Sequence, residues 1–146
     1  MAVTTKWYLN GVSHVANAAV DWDTDTIHVS LHTATYVPDQ DAHDFYNDVT
    51  NEVSGAGYTA GGQALAGKTR AIDAASNETR LDATDLTWTA VTFTGARYAV
   101  IYKKRGGVAS ADELIGWVDF GADQTVAGVD FTITWAATGV LKITAA

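Results

Sequence analysis

Apolar residues recur every three or four positions from Thr5 to about Val20, at Tyr8, Leu9, Val12, Val15, Ala16, Ala19 and Val20, the spacing of one helical face. Thr5 is placed to cap this predicted helix. Gly11 weakens it, because glycine in a helix interior costs about 1 kcal/mol relative to alanine. The period then changes to two. Asp21-Trp22-Asp23-Thr24-Asp25 reads as a turn, and Thr26 to Thr33 as a strand with Ile27, Val29 and Leu31 on one face. Its other face carries His28, Ser30 and His32, which are expected to be exposed.

Between Tyr36 and Gly67 the periodicity is weakest, in an acid-rich run followed by a glycine-rich one. Beyond it the chain reads as β, with strands predicted at Ala64 to Asp73, Thr79 to Asp82, Leu86 to Thr94, Ala96 to Lys103, Leu114 to Phe120, Val126 to Trp135 and Gly139 to Thr144. Ala75-Ser76-Asn77 joins the first two as a turn. Val129, Phe131, Ile133 and Trp135 alternate with Asp130, Thr132 and Thr134, a half-buried pattern. Tyr98 to Tyr102 and Leu114 to Val118 are instead apolar on both faces, so those strands are central or covered by another subunit. The expectation is a mainly β fold: a β-sandwich or jelly-roll-like single domain over residues 1–146, with one N-terminal helix.

Composition agrees with one globular domain. The chain has 146 residues, 47% of them hydrophobic and 18% charged, with 13 glycines and one proline to serve many turns. No cysteine is present, which excludes disulfides, thiolate metal sites and thiol catalysis. Neither an export signal nor a membrane-spanning apolar run is visible, so no membrane partner is expected. A net charge of −8 argues against nucleic acid, whose phosphates require clustered Lys and Arg.

That charge is unevenly placed. No Lys or Arg lies between Lys6 and Lys68, an interval holding Asp21, Asp23, Asp25, Asp39, Asp41, Asp44, Asp48, Glu52 and all four histidines. The basic cluster Lys103-Lys104-Arg105 sits in the other half, in a segment that with Gly106-Gly107 reads as a hairpin tip. Opposed charges of this kind can orient neighbours in an assembly.

Candidate chemistry is sparse. Gly62-Gln63-Ala64-Leu65-Ala66-Gly67-Lys68-Thr69 matches the phosphate-binding loop pattern, but that loop must follow a buried strand and open a helix. Here Arg70-Ala71-Ile72-Asp73 continues as strand. Asp21, Asp23 and Asp25 resemble the start of a calcium loop, with Thr26 where glycine belongs and His32 where the closing glutamate belongs. Asp39, Asp41 and Asp44 form a second acidic group; capping of turns is the simpler role for both, and any metal stays unassigned. His28 and His32 lie roughly 13 Å apart along a strand, too far for one ion. No nucleophile motif is present, so no catalytic residue and no cofactor are assigned. Five tryptophans raise sugar stacking as an alternative; Trp88 and Trp135 fit the core, and Trp22 is the one to test for exposure.

Several blocks together, in order along nearly the whole chain, resemble a group of small tailed-bacteriophage structural proteins. They are Lys6-Trp7-Tyr8, Asp21-Trp22-Asp23-Thr24-Asp25-Thr26-Ile27, Tyr36 to Asp44, Asn51-Glu52-Val53-Ser54-Gly55-Ala56-Gly57-Tyr58, Leu114-Ile115-Gly116 with Asp119-Phe120-Gly121, and Phe131 to Trp135. The resemblance implies a non-enzymatic virion protein, assembled in the host cytoplasm, that binds the outside of a capsid shell and reinforces it. Its partner would be the major capsid protein or another virion protein, and closed symmetry favours a homo-oligomer, here a trimer. A minor tail or fibre protein and a receptor- or glycan-binding module are the alternatives. Trp22, Asp39, Asp41, Asp44, Tyr58, Lys103, Lys104 and Arg105 are the candidate contact residues, with Tyr36 to Gly67 expected to be an ordered surface excursion that meets a neighbour.

Overall fold

The computed structural model describes residues 1–145. Its elements are β1 (Thr5–Trp7), α1 (Leu9–Ala16), β2 (Ile27–Thr33), β3 (Gln63–Ala64), β4 (Thr69–Asp73), β5 (Glu78–Asp82), β6 (Leu86–Lys103), β7 (Leu114–Ile133) and β8 (Leu141–Thr144). Two antiparallel sheets face each other, one of five strands in the order β1-β7-β6-β2-β3 and one of three in the order β4-β5-β8. With the single helix near the N-terminus, this is a β-sandwich-like domain.

The main core lies between the sheets. Ile27, Val29 and Leu31 of β2 are fully buried there, beside Ala99 and Ile101 of β6. Leu81, Leu141, Trp22, Trp88, Phe131, Ile133 and Trp135 are among the other residues packed there. The period-two face read from the sequence is therefore the sandwich interior, except that Val129 at its far end is 53% exposed.

The helix starts later than its spacing suggests. Thr5 does not cap it, because Thr5, Lys6 and Trp7 pair with Val118, Trp117 and Gly116 at the edge of the larger sheet. Tyr8 precedes the first turn instead, and Ala18 in a left-handed conformation (φ 61°) ends the helix. Gly11 is there for close approach: a Cβ at this position would run into the backbone carbonyl of Ile115.

Four predicted strands merge into two. The pairs divided at Gly95 and after Phe120 are continuous strands of 18 and 20 residues, which stay paired through a series of register shifts. Gly95 (φ 72°) and Gly121 (φ 77°) supply bulges where the sequence suggested breaks. Ala64 to Asp73, conversely, is two strands: Gln63–Ala64 adds to β2, and Thr69–Asp73 belongs to the other sheet.

Candidate functional site

The strands that are apolar on both faces are covered by this same chain. On the side of the five-stranded sheet turned away from the sandwich core, Lys6, Trp117, Val100 and Ser30 form one cross-strand row. Beside it run Asp119, Tyr98 and His32, and then Leu114, Tyr102 and His28. Residues 36–62 fold back over much of this surface. Tyr8, Tyr36, Val100, Tyr102, Leu114 and Trp117 form a second buried cluster, with Tyr46 and Val49 packed against it. The Tyr46 ring stacks on Tyr102 with centroids 3.9 Å apart. Residues 36–50 therefore supply a third layer of the fold, while Val53 and Tyr58 beyond them turn into the main core.

Histidines fasten this layer. Contrary to the expectation of exposed strand residues, His32 is 1% exposed and His28 is half-buried. His32 Nδ1 donates to the Thr50 carbonyl at 2.8 Å, which leaves Nε2 to accept from the Ser30 hydroxyl at 2.8 Å. His28 Nδ1 bonds the Gly61 carbonyl at 3.1 Å, which also receives the Tyr102 hydroxyl at 2.7 Å. The Asp39 amide donates to His43 Nδ1 at 3.2 Å, and this fixes a relay in which the Tyr8 hydroxyl donates to Tyr36 and Tyr36 to His43. Burial holds His32 near pKa 4, from an ordinary 6.5, and pushes the Tyr36 and Tyr46 phenols up to about 12. At neutral pH the layer beneath the loop is uncharged at all three groups.

The phosphate-loop match has a structural use instead. Its first residues pair with β2, it turns at Gly67 (φ 60°), and β4 follows where a phosphate site needs a helix. Gly62 lies against the backbone of Val29, where a Cβ would collide with the carbonyl. Gly55 likewise sits on the Thr92 carbonyl. These glycines let the returning chain lie directly on the sheet.

The candidate contact residues divide into two groups. Asp39 and Asp41 lie exposed on the outside of the 36–50 layer, where Asp39 Oδ1 accepts the amides of Asp41 and Ala42, and Asp44 is half-buried, its carbonyl accepting the amide of Leu114. Asp21 and Asp25 likewise close a turn through backbone amides. Among the described residues, no group of three or more His, Asp or Glu is arranged to hold a metal ion. Trp22 is not available as a contact: it is 3% exposed, with Nε1 donating to the Asp82 carbonyl at 3.0 Å.

Tyr58 is also turned inward, donating to Glu52 Oε1 at 2.7 Å and accepting the Leu31 amide at 2.8 Å. The basic cluster is largely tied down within the molecule. Lys103 Nζ reaches Asp25 at 2.8 Å and the Ala19 carbonyl at 2.7 Å, while Arg105 clamps Glu113. Burial works against the Glu113 charge, but the Arg105 guanidinium outweighs it and lowers its pKa. Lys104 forms no ion pair among the described residues.

The most open apolar feature lies elsewhere, on the three-stranded sheet. Ile72, Thr79 and Ile143 are directly opposite one another across β4, β5 and β8. They share a face with Leu81 and Leu141, which the larger sheet buries, but this end overhangs the core and Ile72 is 79% exposed. A hollow of about 350 Å³ opens beside them, lined also by Ala74, Asn77 and Ala145. β4 is a free edge. The opposite face is closed by ion pairs of Arg80 with Asp73 (2.7 Å) and Lys142 with Glu78 (2.6 Å). The alternation of Leu141-Lys142-Ile143-Thr144 carried this signal in the sequence; what it could not carry was which end of the face stays open.

The chain matches no protein-family model, no curated protein and no solved structure.

Proposed function

We propose that this chain is a non-enzymatic structural protein of a tailed-bacteriophage particle, a decoration protein that binds the outside of the capsid shell as a homo-oligomer and stabilises it. The resemblance of several blocks, in order, to small phage structural proteins is what suggests the family. The observation that carries the role is the exposed Ile72, flanked by the half-buried Thr79 and Ile143, beside the free edge of β4. An exposed apolar side chain beside a partly open hollow at an unpaired sheet edge is a surface suited to another protein, through side-chain burial and strand addition together. The acidic turns at Asp39 and Asp41 offer a separate, charged surface.

A glycan-binding role has less support. Trp22, Trp88, Trp117 and Trp135 are all under 9% exposed, so none offers the open ring face that stacking on a sugar needs.

Co-sedimentation with purified capsids lacking the protein tests the proposal. Native chain should pellet with the shells and raise their melting temperature, and Ile72→Asp should weaken both effects without altering the fold by circular dichroism. A chain that stays monomeric in light scattering and leaves shells unbound would overturn it.

A further inference from the structure

Among the described residues the four histidines belong to no metal-holding group, yet two hold the same stretch of chain through nitrogens that must be unprotonated. His43 Nδ1 accepts from the Asp39 amide, a group that can only donate. His32 Nε2 accepts from Ser30 because its Nδ1 is already donating to Thr50. The two contacts span residues 36–50, the part of the third layer that places Tyr36, Tyr46 and Val49 on the sheet.

We propose that residues 36–50 form an acid-released strap: protonation of His32 lifts this segment and bares the aromatic face of the sheet while the sandwich stays folded.

The surroundings of each histidine decide the outcome. Facing His32 are Ser30 from its own strand, Tyr36 and Tyr46 from the strap, and Tyr98 as its partner on β6. Glu52 pairs with His32 through the backbone, but its carboxylate is occupied by the Tyr58 hydroxyl and the Gly61 amide. An imidazolium at His32 is thus buried without a free counter-charge, whereas in the lifted state it is hydrated. His43 lies within the strap itself, where Tyr8 and Tyr36 pack on its ring and the Asp39 backbone amide donates to its Nδ1. The segment after residue 50 stays down. His28 donates to Gly61, a bond that survives protonation, and the Glu52–Tyr58 contact does not involve a histidine.

The sign follows from His32. Its pKa is lowered from 6.5 to about 4 in the closed form, so closing is favoured above pH 6.5 and loses ground as pH falls towards 4. At pH 5 this linkage raises the opening equilibrium roughly 30-fold over that at pH 7.5.

Hydrogen exchange on the full chain at pH 7.5 and pH 5, corrected for intrinsic exchange, tests this. The amides of Tyr46 and Val49 should lose about 30-fold in protection, while those of Val53 and of β2 and β6 keep theirs within threefold. Equal loss in strap and sandwich, or no loss in the strap, overturns the proposal. His32→Asn keeps a donor for Thr50 and removes the titration, so the pH effect on the strap should vanish; a persisting 30-fold effect overturns the role of His32. If that variant does not fold, nitrogen NMR of His32 in the native chain decides, since an imidazole that stays neutral while the strap opens is equally fatal.

Discussion

The Tyr58 hydroxyl lies 2.7 Å from Glu52 Oε1 and at the same time takes the backbone amide of Leu31 at 2.8 Å, so one side chain locks the returning loop to β2 where β3 ends. Tyr58→Phe leaves the Leu31 amide and one Glu52 contact without a partner. The expected loss is about 2 kcal/mol of unfolding free energy, the usual cost of stranding buried polar groups. Urea titration of the two proteins checks it, and an unchanged midpoint would mean that the contact is dispensable.

Glycines of the phosphate-loop match should matter for stability and not for nucleotide. Gly62→Ala forces a Cβ onto the Val29 backbone at φ 72°, and a loss of roughly 3 kcal/mol or more is expected. Gly121→Ala has the same sign of φ but open space around it, so only about 1 kcal/mol is expected. Lys68→Ala should change neither stability nor ATP binding by calorimetry. Similar losses at both glycines would show that collision with Val29 is not what matters.

The basic cluster should prove to be three separate residues. Lys103→Ala removes contacts to Asp25 and Ala19 and should cost about 1 to 2 kcal/mol, because both partners are largely shielded from water. Lys104→Ala, with no ion pair to lose, should stay within about 0.5 kcal/mol of the parent. Thermal melts of the two variants distinguish this from a uniform electrostatic patch, which would give equal shifts.

Ile72→Asp should leave unfolding free energy within about 0.5 kcal/mol, since the side chain is already in water. Its effect belongs to association. A stability loss above about 1 kcal/mol would place Ile72 inside the fold and remove the docking surface from consideration.

Much of the sandwich was legible because Ile27, Val29 and Leu31, or Phe131 and Ile133, bury one face and alternate accordingly. The long strands were not, because Gly95 and Gly121 read as turn signals while the ladder carries them as bulges. His32 was misplaced for a related reason. A polar residue opposite an apolar face looks exposed unless a distant segment covers it, and the cover here begins at Tyr36 with no periodic signature of its own. Trp22 was drawn outward by its two flanking aspartates, which lie in water while the indole between them points in. Ile72 was counted as one more strand residue because exposure at the end of a small sheet depends on how far the larger sheet extends beneath it.

The strand order also bears on how the chain is made. β1 pairs with β7 and β2 with β6, so residues near the start wait for partners more than sixty positions later. A ribosome releasing this sequence from the N-terminus therefore exposes the core face of Ile27, Val29 and Leu31 without β6 beside it until the second half has emerged, and the 36–50 segment has no sheet to settle on before then. Folding is a late, concerted event, and truncated products should aggregate or be degraded instead of persisting as partial domains.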